Sequence, residues 1–391
     1  MDRQSPVRLL FGGDFAPRGP YEKLIFDRGE DIFGTALKLI DQADFTMVNL
    51  EAPLRVEGSA IRKIGPAMHI APEALQALNQ AGIDAVCLAN NHIFDYGRDG
   101  LAQTLTALDA RGIRYVGAGP DRLSAESPLR IKLKERRVSV FSVAEREFNI
   151  SDDGQAGAAL LDPISLTPLI MQERTQADAI VICVHGGNEY FPWPRPGLRR
   201  LFHYLVDIGA DAIMGHHPHV PGAYEVYKGK PIVYSLGNLI FDSTVPPPEW
   251  ESGYFACLDL DFNDTSLEYI RIELHPYHQA ASKGGMQLLQ GHARDDFLAR
   301  IEEMRDQLEN HPQKWLDAWK AFVRNKQAQA MIDLSSPVRF RGFRRLMRWK
   351  FMRDLVVSPT RRLHRLNLMR CASHQELVVS ALENFQEAER A

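Results

Sequence analysis

The sequence predicts an α/β fold with a mostly parallel sheet, followed by a helical C-terminal extension. Short apolar runs typical of strands alternate with segments of helical periodicity as far as about residue 215. Residues 179–184 form a continuous apolar run, as a strand that is buried on both faces requires. After about residue 281 the strand patterns stop and helical patterns continue.

The predicted elements follow in order along the chain. Strands are expected at residues 7–12, 45–50, 85–88, 179–184 and 212–214, with helices at 31–43, 72–81 and 97–111. Four further strand patterns predict antiparallel hairpins packed beside the first sheet, at residues 222–227, 231–235, 253–262 and 267–274. Helices are expected beyond them at residues 295–310, 313–328, 338–356 and 375–390.

Length and composition indicate one large globular domain with an appendage. The chain has 391 residues, more than one ordinary domain, and 45% of them are hydrophobic against 25% charged. We therefore expect a catalytic domain over residues 1–280 and a helical C-terminal extension over residues 281–391.

Cysteine usage and hydropathy favour a cytoplasmic protein. The four cysteines lie far apart and form no C-x-x-C pair, so neither a disulfide framework nor a zinc knuckle is expected. No apolar run reaches the roughly 18 residues of a transmembrane helix. The first residues are charged and lack the apolar core of a signal peptide.

Positive charge is concentrated in one segment. Residues 338–370 carry eleven basic residues and the single acid Asp354, in a chain whose net charge is −4. Apolar residues recur in it at helical spacing between the arginines, so it can lie on anionic lipid as a peripheral membrane contact or hold a polyanion. The ordinary alternative is that its apolar stripe packs on the catalytic domain. No recognition motif accompanies the charge, so nucleic acid is not expected as a partner.

Polar residues that can bind metal follow five successive predicted strands. Ligands in open α/β sheets bind outside the carboxyl ends of the strands, so these side chains should share one edge. They are Asp14; Asn49 and Glu51; Asn90, Asn91, His92 and Asp95; His185, Asn188 and Glu189; and His216, His217 and His219.

The residue types indicate the chemistry of that edge. Carboxylate, imidazole and amide oxygen together suit Mn, Zn or Fe, so we expect one or two divalent metal ions as the cofactor. A carboxylate can bridge two such ions, and the pair activates water for a displacement. A single aspartate or Asn-Asn pair is ordinary in turns, but three histidines among residues 216–219 are not.

Six motifs in this order resemble a known family. They are Gly13-Asp14, Asn49-Leu50-Glu51, Asn90-Asn91-His92 with Asp95, His185-Gly186-Gly187-Asn188-Glu189, His216-His217-Pro218-His219, and Ser235-Leu236-Gly237-Asn238. Over about residues 8–276 they are similar to the CapA family of poly-γ-glutamate capsule synthesis proteins, which is related to calcineurin-like metallophosphoesterases. The resemblance implies a four-layer α/β/β/α metallophosphoesterase-like sandwich with its site at the sheet edge.

The resemblance also implies roles for individual residues. The metal ligands would be Asp14, a bridging Glu51, Asn91, His185, His217 and His219. We expect catalytic roles for His92, as acid or leaving-group stabiliser, and for Asp95 and Glu189. We expect substrate contacts from Arg18, Asn49, Asn90, His216 and Asn238. Arg62 and Lys63 could also bind substrate anions, although exposed surface charge is the more ordinary interpretation.

The chain departs from the related patterns at three places. Ala16 stands where the wider phosphoesterase pattern has a histidine ligand of the first metal, and Asn-Leu-Glu replaces a Gly-Asp motif. Gly186 stands where many CapA-like sequences have tryptophan, so we expect a more open site.

The function that follows is a metal-dependent hydrolase or transferase. The resemblance implies a γ-glutamyl polymer or a related γ-glutamyl amide as its substrate, and its partner is then an anionic polymer or a small molecule. A phosphoesterase is the first alternative, because the residues alone do not separate an amide from a phosphoester. The second alternative is a non-catalytic accessory protein that binds polymer or membrane. The oligomeric state is left open.

Overall fold

The computed structural model describes residues 5–152, 154–243, 248–264, 266–334 and 358–390. Its strands are β1 Val7–Ala16, β2 Phe45–Leu50, β3 Ala85–Cys87, β4 Arg114–Val116, β5 Ala118–Gly119, β6 Leu129–Leu133, β7 Arg136–Ala144, β8 Gly157–Ala158, β9 Ala179–His185, β10 Ala212–His216, β11 Tyr224–Tyr227, β12 Lys230–Val233, β13 Asn238–Phe241, β14 Ser252–Phe262, β15 Leu267–Ala280 and β16 Gly285–Leu288.

The α-helices in the same residues are α1 Pro20–Arg28, α2 Leu37–Asp41, α3 Pro72–Gln80, α4 Gly97–Asp109, α5 Arg122–Glu126, α6 Pro163–Glu173, α7 Pro196–Asp207, α8 Gly291–Glu309, α9 Pro312–Leu334, α10 Pro359–Arg370 and α11 Ala372–Arg390. Short 3-10 segments span Gly29–Ala36 and Ala281–Lys283. No described helix combines the length and the apolar character that crossing a membrane requires.

Two large mixed sheets form the centre of the fold. The first has the order β16-β15-β14-β1-β2-β3-β4, with β13 also paired to β1, and its strands β1 to β4 are parallel. The second has the order β11-β12-β10-β9-β7-β6, in which β12, β10, β9 and β7 are parallel. The antiparallel hairpins extend these sheets at their edges, β14 and β15 in the first and β11 and β12 in the second.

Alternating side chains show that the two sheets are packed face to face. In β1, Leu9 and Phe11 belong to one core cluster with residues of the second sheet, such as Val181. Leu10, on the opposite face, belongs to the cluster that contains helix α3 and its Leu75. Successive strand residues point to opposite faces, so each sheet is covered by the other sheet on one side and by helices on the other. The four-layer α/β/β/α sandwich is confirmed.

Two local predictions need correction. The helix expected at residues 31–43 begins as a 3-10 segment with a kink at Gly34, whose φ is 49°. A Cβ there would lie 2.1 Å from the carbonyl oxygen of Met286 in β16. This strand was not expected, because strand patterns were thought to stop near residue 281, and it pairs with β15. The domain boundary expected after residue 280 stays a prediction.

The basic segment at 338–370 is described only from Ser358 onward, where α10 begins with a Ser358 side-chain cap. The helix expected at residues 338–356 lies outside the described residues. Its proposed contact with membrane or polyanion stays a prediction.

Candidate metal centre

The candidate site lies where strands of both sheets end. Asp14 sits in β1 directly after two glycines, and its N–H donates to the carbonyl oxygen of Gly237 at 3.0 Å. A Cβ on Gly13 would lie 1.9 Å from that same oxygen. Only glycine lets β1 and β13 approach this closely, so the Gly-Gly-Asp sequence places the Asp14 carboxylate at the junction of the sheets.

The two histidines after β10 have unusual backbone geometry. The φ angles of His217 and His219 are 98° and 60°, in the region that side-chain-bearing residues rarely adopt. Such conformations persist where the surrounding structure holds them, and they concentrate at functional sites. Here both imidazoles lie close to the buried carboxylate of Glu51.

Three other candidate ligands surround the imidazole of His185. Its Nε2 lies 3.0 Å from Oδ1 of Asn91, 3.1 Å from Nδ1 of His217 and 3.7 Å from Oε1 of Glu51. Ligand atoms that share one ion at about 2.0–2.2 Å are themselves roughly 3.0–3.5 Å apart. The group therefore has the spacing of one coordination shell.

A second group shares Glu51 with the first. Nε2 of His219 lies 3.6 Å from Oε1 of Glu51, and its Nδ1 lies 3.4 Å from Oδ2 of Asp14. Candidate ligand atoms lie within 4.8 Å of one another in two sets, Glu51 with His217 and His219, and Asp14 with Glu51 and His185. Glu51 belongs to both sets, as a bridging carboxylate would.

The surroundings of the Glu51 side chain indicate whether a cation fits this site. It is wholly buried, and neither carboxylate oxygen has a hydrogen-bond partner among the described residues. Burial and the neighbouring charge of Asp14 raise the pKa of Glu51 well above its ordinary value. A buried carboxylate without a partner is strongly unfavourable, and a divalent cation removes that penalty. The residues therefore fit divalent metal binding.

Neighbouring charges also shift the pKa values of other candidate ligands. Burial alone would raise the pKa of Asp14, but contacts with His216 and His219 hold it well below its ordinary value. Burial alone would lower the pKa of His219, whereas the carboxylates of Glu51 and Asp14 raise it to about 10. Without a cation, protons therefore balance these carboxylates.

Four residues expected to contact substrate lie within 3.2 Å of a candidate ligand or of His92. Asn49 donates to Oδ1 of Asp14 at 2.8 Å, and Oδ1 of Asn238 lies 3.0 Å from Nδ1 of His219. Asn90 accepts from the backbone N–H of His92 at 3.2 Å, and Nδ1 of His216 lies 3.2 Å from Oδ1 of Asp14. None of these four lines the two cavities described below. We propose that they position ligands, in place of the substrate contacts first expected.

The expected catalytic residues form a hydrogen-bonded chain. Oδ2 of Asp95 lies 2.7 Å from Nδ1 of His92 and accepts from the backbone N–H of Met68 at 2.7 Å. The other Asp95 oxygen pairs with Nζ of Lys63 at 2.5 Å. Only 4% of the Lys63 side chain is exposed, so its interpretation as surface charge is wrong. Burial and the Lys63 charge lower the pKa of His92.

Two cavities meet at His92 and Glu189. One, of about 330 Å³, is also lined by Asn91 and His217, and the other, of about 430 Å³, by Arg18 and His219. Glu189 is exposed, and Arg18 is half-buried. Both side chains can therefore reach a bound molecule, whereas Asp95 is buried and contacts His92.

Gly186 does not open the site. A Cβ at this position would lie 2.8 Å from Cγ of Glu145, so the neighbouring space is already occupied. Glu145 follows β7, a strand that the sequence analysis did not identify. The apolar run at residues 138–144 was the available signal, and the rule that ligands follow strands would then have pointed to Glu145 and Glu147.

The fold and the site together define a class of protein. It is an α/β/β/α sandwich with a buried cluster of carboxylate, imidazole and amide side chains that can serve as metal ligands. The family described as bacterial capsule synthesis protein PGA_cap matches residues 8–243. This chain belongs to that family.

Curated relatives carry related descriptions. The capsule biosynthesis protein CapA of Bacillus anthracis is 33% identical over 57% of this chain and 57% of its own length. The PGA biosynthesis protein CapA of Bacillus subtilis is 31% identical over 59% and 62%. The probable polyglutamine synthesis accessory protein MT0602 of Mycobacterium tuberculosis is 31% identical over 54% and 59%. The matches thus span less than two thirds of these relatives.

Solved structures show weaker similarity. A hypothetical protein from Thermus thermophilus aligns with a TM-score of 0.43 and 19% identity, over 69% of this chain and 99% of that one. A dimetal phosphatase from Danio rerio aligns with a TM-score of 0.32 and 12% identity, over 56% and 87%. We infer nothing about the reaction from these values.

Proposed function

We propose that this chain is a metal-dependent hydrolase or transferase that acts on an amide bond of an acidic, glutamyl-type polymer. The observation that carries the metal dependence is Glu51, a fully buried carboxylate with two unpartnered oxygens amid the other candidate ligands. The relatives' descriptions as capsule and polyglutamine synthesis proteins support the polymer class.

Six side chains would hold one or two divalent ions. They are Asp14, Glu51, Asn91, His185, His217 and His219, and Glu51 belongs to both sets of closely spaced ligand atoms. When bound, Mn, Zn or Fe supplies Lewis-acid activation of water and of the scissile bond. Ala16 contributes no ligand, so the side of Asp14 has the weaker protein shell.

His92 moves the proton in this proposal. Its Nδ1 contacts Asp95, which fixes the ring and leaves Nε2 available to the cavities. Nε2 takes a proton from the attacking water and delivers it to the leaving amine. Asp95 and Lys63 hold the ring in position, and the exposed Glu189 carboxylate lies at the mouth of both cavities.

The experiment combines metal analysis with two substrates. Purified full chain is analysed for bound metal and assayed with Mn, Zn or Fe on a γ-linked glutamate oligomer and on a phosphodiester. His217→Ala should lose metal and turnover, whereas His292→Ala, which removes an exposed histidine of α8, should keep both. Cleavage of the diester alone would establish the phosphoesterase alternative. Absence of turnover on both substrates would favour the accessory protein.

A further inference from the structure

The 330 Å³ cavity at the candidate metal centre has a wall from the C-terminal helices. Besides Asn91, His92 and His217, its lining includes Phe322 and Lys326 of α9, Asn367 of α10, and His374 and Leu377 of α11. All five lie well beyond residue 243, where the family match ends. The wall is therefore a feature of this chain rather than of the matched family segment.

Buried charges anchor this wall to the sandwich. Arg195, only 4% exposed, pairs with Oε1 of Glu145 at 2.7 Å and also with Glu376 of α11. Glu145 in turn accepts from the backbone N–H of Ser373 at 3.0 Å. Glu376 accepts from the backbone N–H of Gly197 at 2.7 Å. These ion pairs and hydrogen bonds, centred on the buried Arg195 and Glu145, hold α11 in one docked position.

Glu147 connects the wall to a candidate metal ligand. Its Oε1 accepts from Nδ2 of Asn91 at 3.3 Å, and its Oε2 accepts from Nδ2 of Asn367 at 3.4 Å. The same carboxylate therefore orients the amide oxygen of Asn91 toward His185 and holds α10 in place. The wall and the metal centre form one continuous surface.

The polar groups of the wall indicate what it can bind. Lys326 is exposed and its side chain lies 5.9 Å over the ring of Phe322, with no ion pair to any described residue. The His374 imidazole lines the same cavity and lies 3.2 Å from Nδ2 of Asn367. Glu147 is already engaged by two amides. A carboxylate is the group that the Lys326 ammonium fits, with the His374 imidazole as a further polar contact in the lining.

We propose that the C-terminal helices supply a carboxylate-binding subsite of the substrate cleft, in which Lys326 and His374 contact an acidic residue of the polymer next to the metal centre. This inference rests on the proposed function for its substrate class. It adds that recognition of the polymer depends on residues outside the matched family segment.

Binding of a synthetic γ-linked glutamate pentamer to the full chain tests the subsite. Lys326→Ala should weaken binding about fivefold and reduce its dependence on salt, because one exposed charge contact is lost. Lys314→Ala is the matched control, since it removes the same charge from the same helix about 18 Å away. Isothermal titration calorimetry measures both, with metal content measured in parallel and expected to be unchanged.

A second variant and a second ligand keep the test decisive. His374→Gln should also weaken pentamer binding, and a pentamer whose free α-carboxylates are amidated should bind wild type and Lys326→Ala equally. Equal pentamer affinity in wild type, Lys326→Ala and His374→Gln would overturn the subsite. So would a wild-type protein that does not bind the pentamer.

The two proposals fail in different ways. If the protein turns over the polymer with a KM that neither variant changes, the subsite proposal is wrong and the hydrolase proposal stands. If Lys326→Ala binds the pentamer more weakly but the metal-loaded wild type shows no turnover, the hydrolase proposal is wrong and the subsite proposal stands.

Discussion

Nδ1 of His217 lies 3.1 Å from Nε2 of His185, although the two residues are 32 positions apart. His185 ends β9, and His217 follows β10, its parallel neighbour. Burial and the nearby His217 lower the pKa of His185 well below its ordinary value, so this ring is neutral and its nitrogen can serve as a ligand. This pair is the closest approach of two imidazoles in the candidate centre.

Glu51→Gln should have opposite effects on metal binding and on the metal-free protein. Metal affinity should fall at least about 100-fold. Loss of a direct ligand should exceed the effect of losing a residue that only hydrogen-bonds to a ligand. The metal-free protein should melt no lower than wild type, because the raised pKa of Glu51 already leaves this carboxyl protonated without metal and the amide is neutral as well. Elemental analysis and thermal unfolding with and without chelator measure both. A metal-free melting temperature well below that of wild type would contradict this account.

Metal affinity should increase with pH. The pKa of His219 is raised to about 10, and that of Glu51 is also raised, so both hold protons that a cation must displace. Each displaced proton adds up to about tenfold in affinity per pH unit, until the pH reaches the folded-state pKa. Calorimetry from about pH 6 to about pH 9, in buffers of different ionisation enthalpy, counts the released protons. Affinity that is independent of pH would contradict these pKa directions.

The stability of the metal-free protein should change in the opposite direction. His219 has a folded pKa above its unfolded value of 6.5, so its proton stabilises the fold below that value. This contribution is lost as the pH rises toward 10, and the raised pKa of Glu51 acts in the same sense. Denaturant unfolding of chelated protein at increasing pH measures the decline, which bound metal should abolish.

Gly13→Ala should destabilise the fold and disturb the metal centre together. The new methyl group would lie 1.9 Å from the Gly237 carbonyl oxygen, so β1 and β13 must separate next to Asp14. We expect a loss of about 1–3 kcal/mol in the free energy of unfolding, with weaker metal binding. Gly112→Ala, at a positive φ with no atom within 4 Å, should lose stability through backbone strain but retain metal.

Asp95→Asn should lower kcat and leave KM nearly unchanged. Asp95 contacts Nδ1 of His92 and carries no substrate contact, so the change disturbs the proton carrier and spares binding. The expected loss is on the order of 10–100-fold in kcat, with metal content unchanged. Asp99→Asn on the exposed face of α4 is the matched control. An unchanged kcat would exclude His92 as the proton carrier.

Arg195→Met should loosen the C-terminal helices from the sandwich. The substitution leaves Glu145 buried without its cation, which typically destabilises by about 3–5 kcal/mol. Hydrogen exchange should increase in residues 372–382 while the central strands stay protected. Arg200→Met, an exposed position on the same helix α7, should leave the exchange of this segment unchanged.

The sequence predicted the parts of this molecule that local patterns determine. The strand at Ala179–His185 is a continuous apolar run, and the ligands that follow it are adjacent in sequence. The strand-end rule therefore placed Asp14, Glu51, Asn91, His185, His217 and His219 at one edge of the fold, and the family resemblance implied their roles as ligands. The structure then separated residues that line a cavity, such as His92, from wholly buried residues that contact candidate ligands, such as Asn49.

The C-terminal contribution could not be predicted in the same way. Asn367 and His374 lie in amphipathic helices that carry no metal or catalytic motif. They reach the site only through tertiary pairing of Glu145 with Arg195 and with the Ser373 backbone, at separations of 50 and 228 residues. Such pairing has no signature in local periodicity or composition.

The order of residues along the chain has a consequence for biosynthesis. All six candidate ligands lie between residues 14 and 219, whereas the wall begins at Phe322 and is completed beyond residue 370. A ribosome thus releases the ligand-bearing segment more than a hundred residues before His374 is made. A nascent sandwich can load its ions through the side that is still open, so translation itself would place ion loading before formation of the polymer cleft.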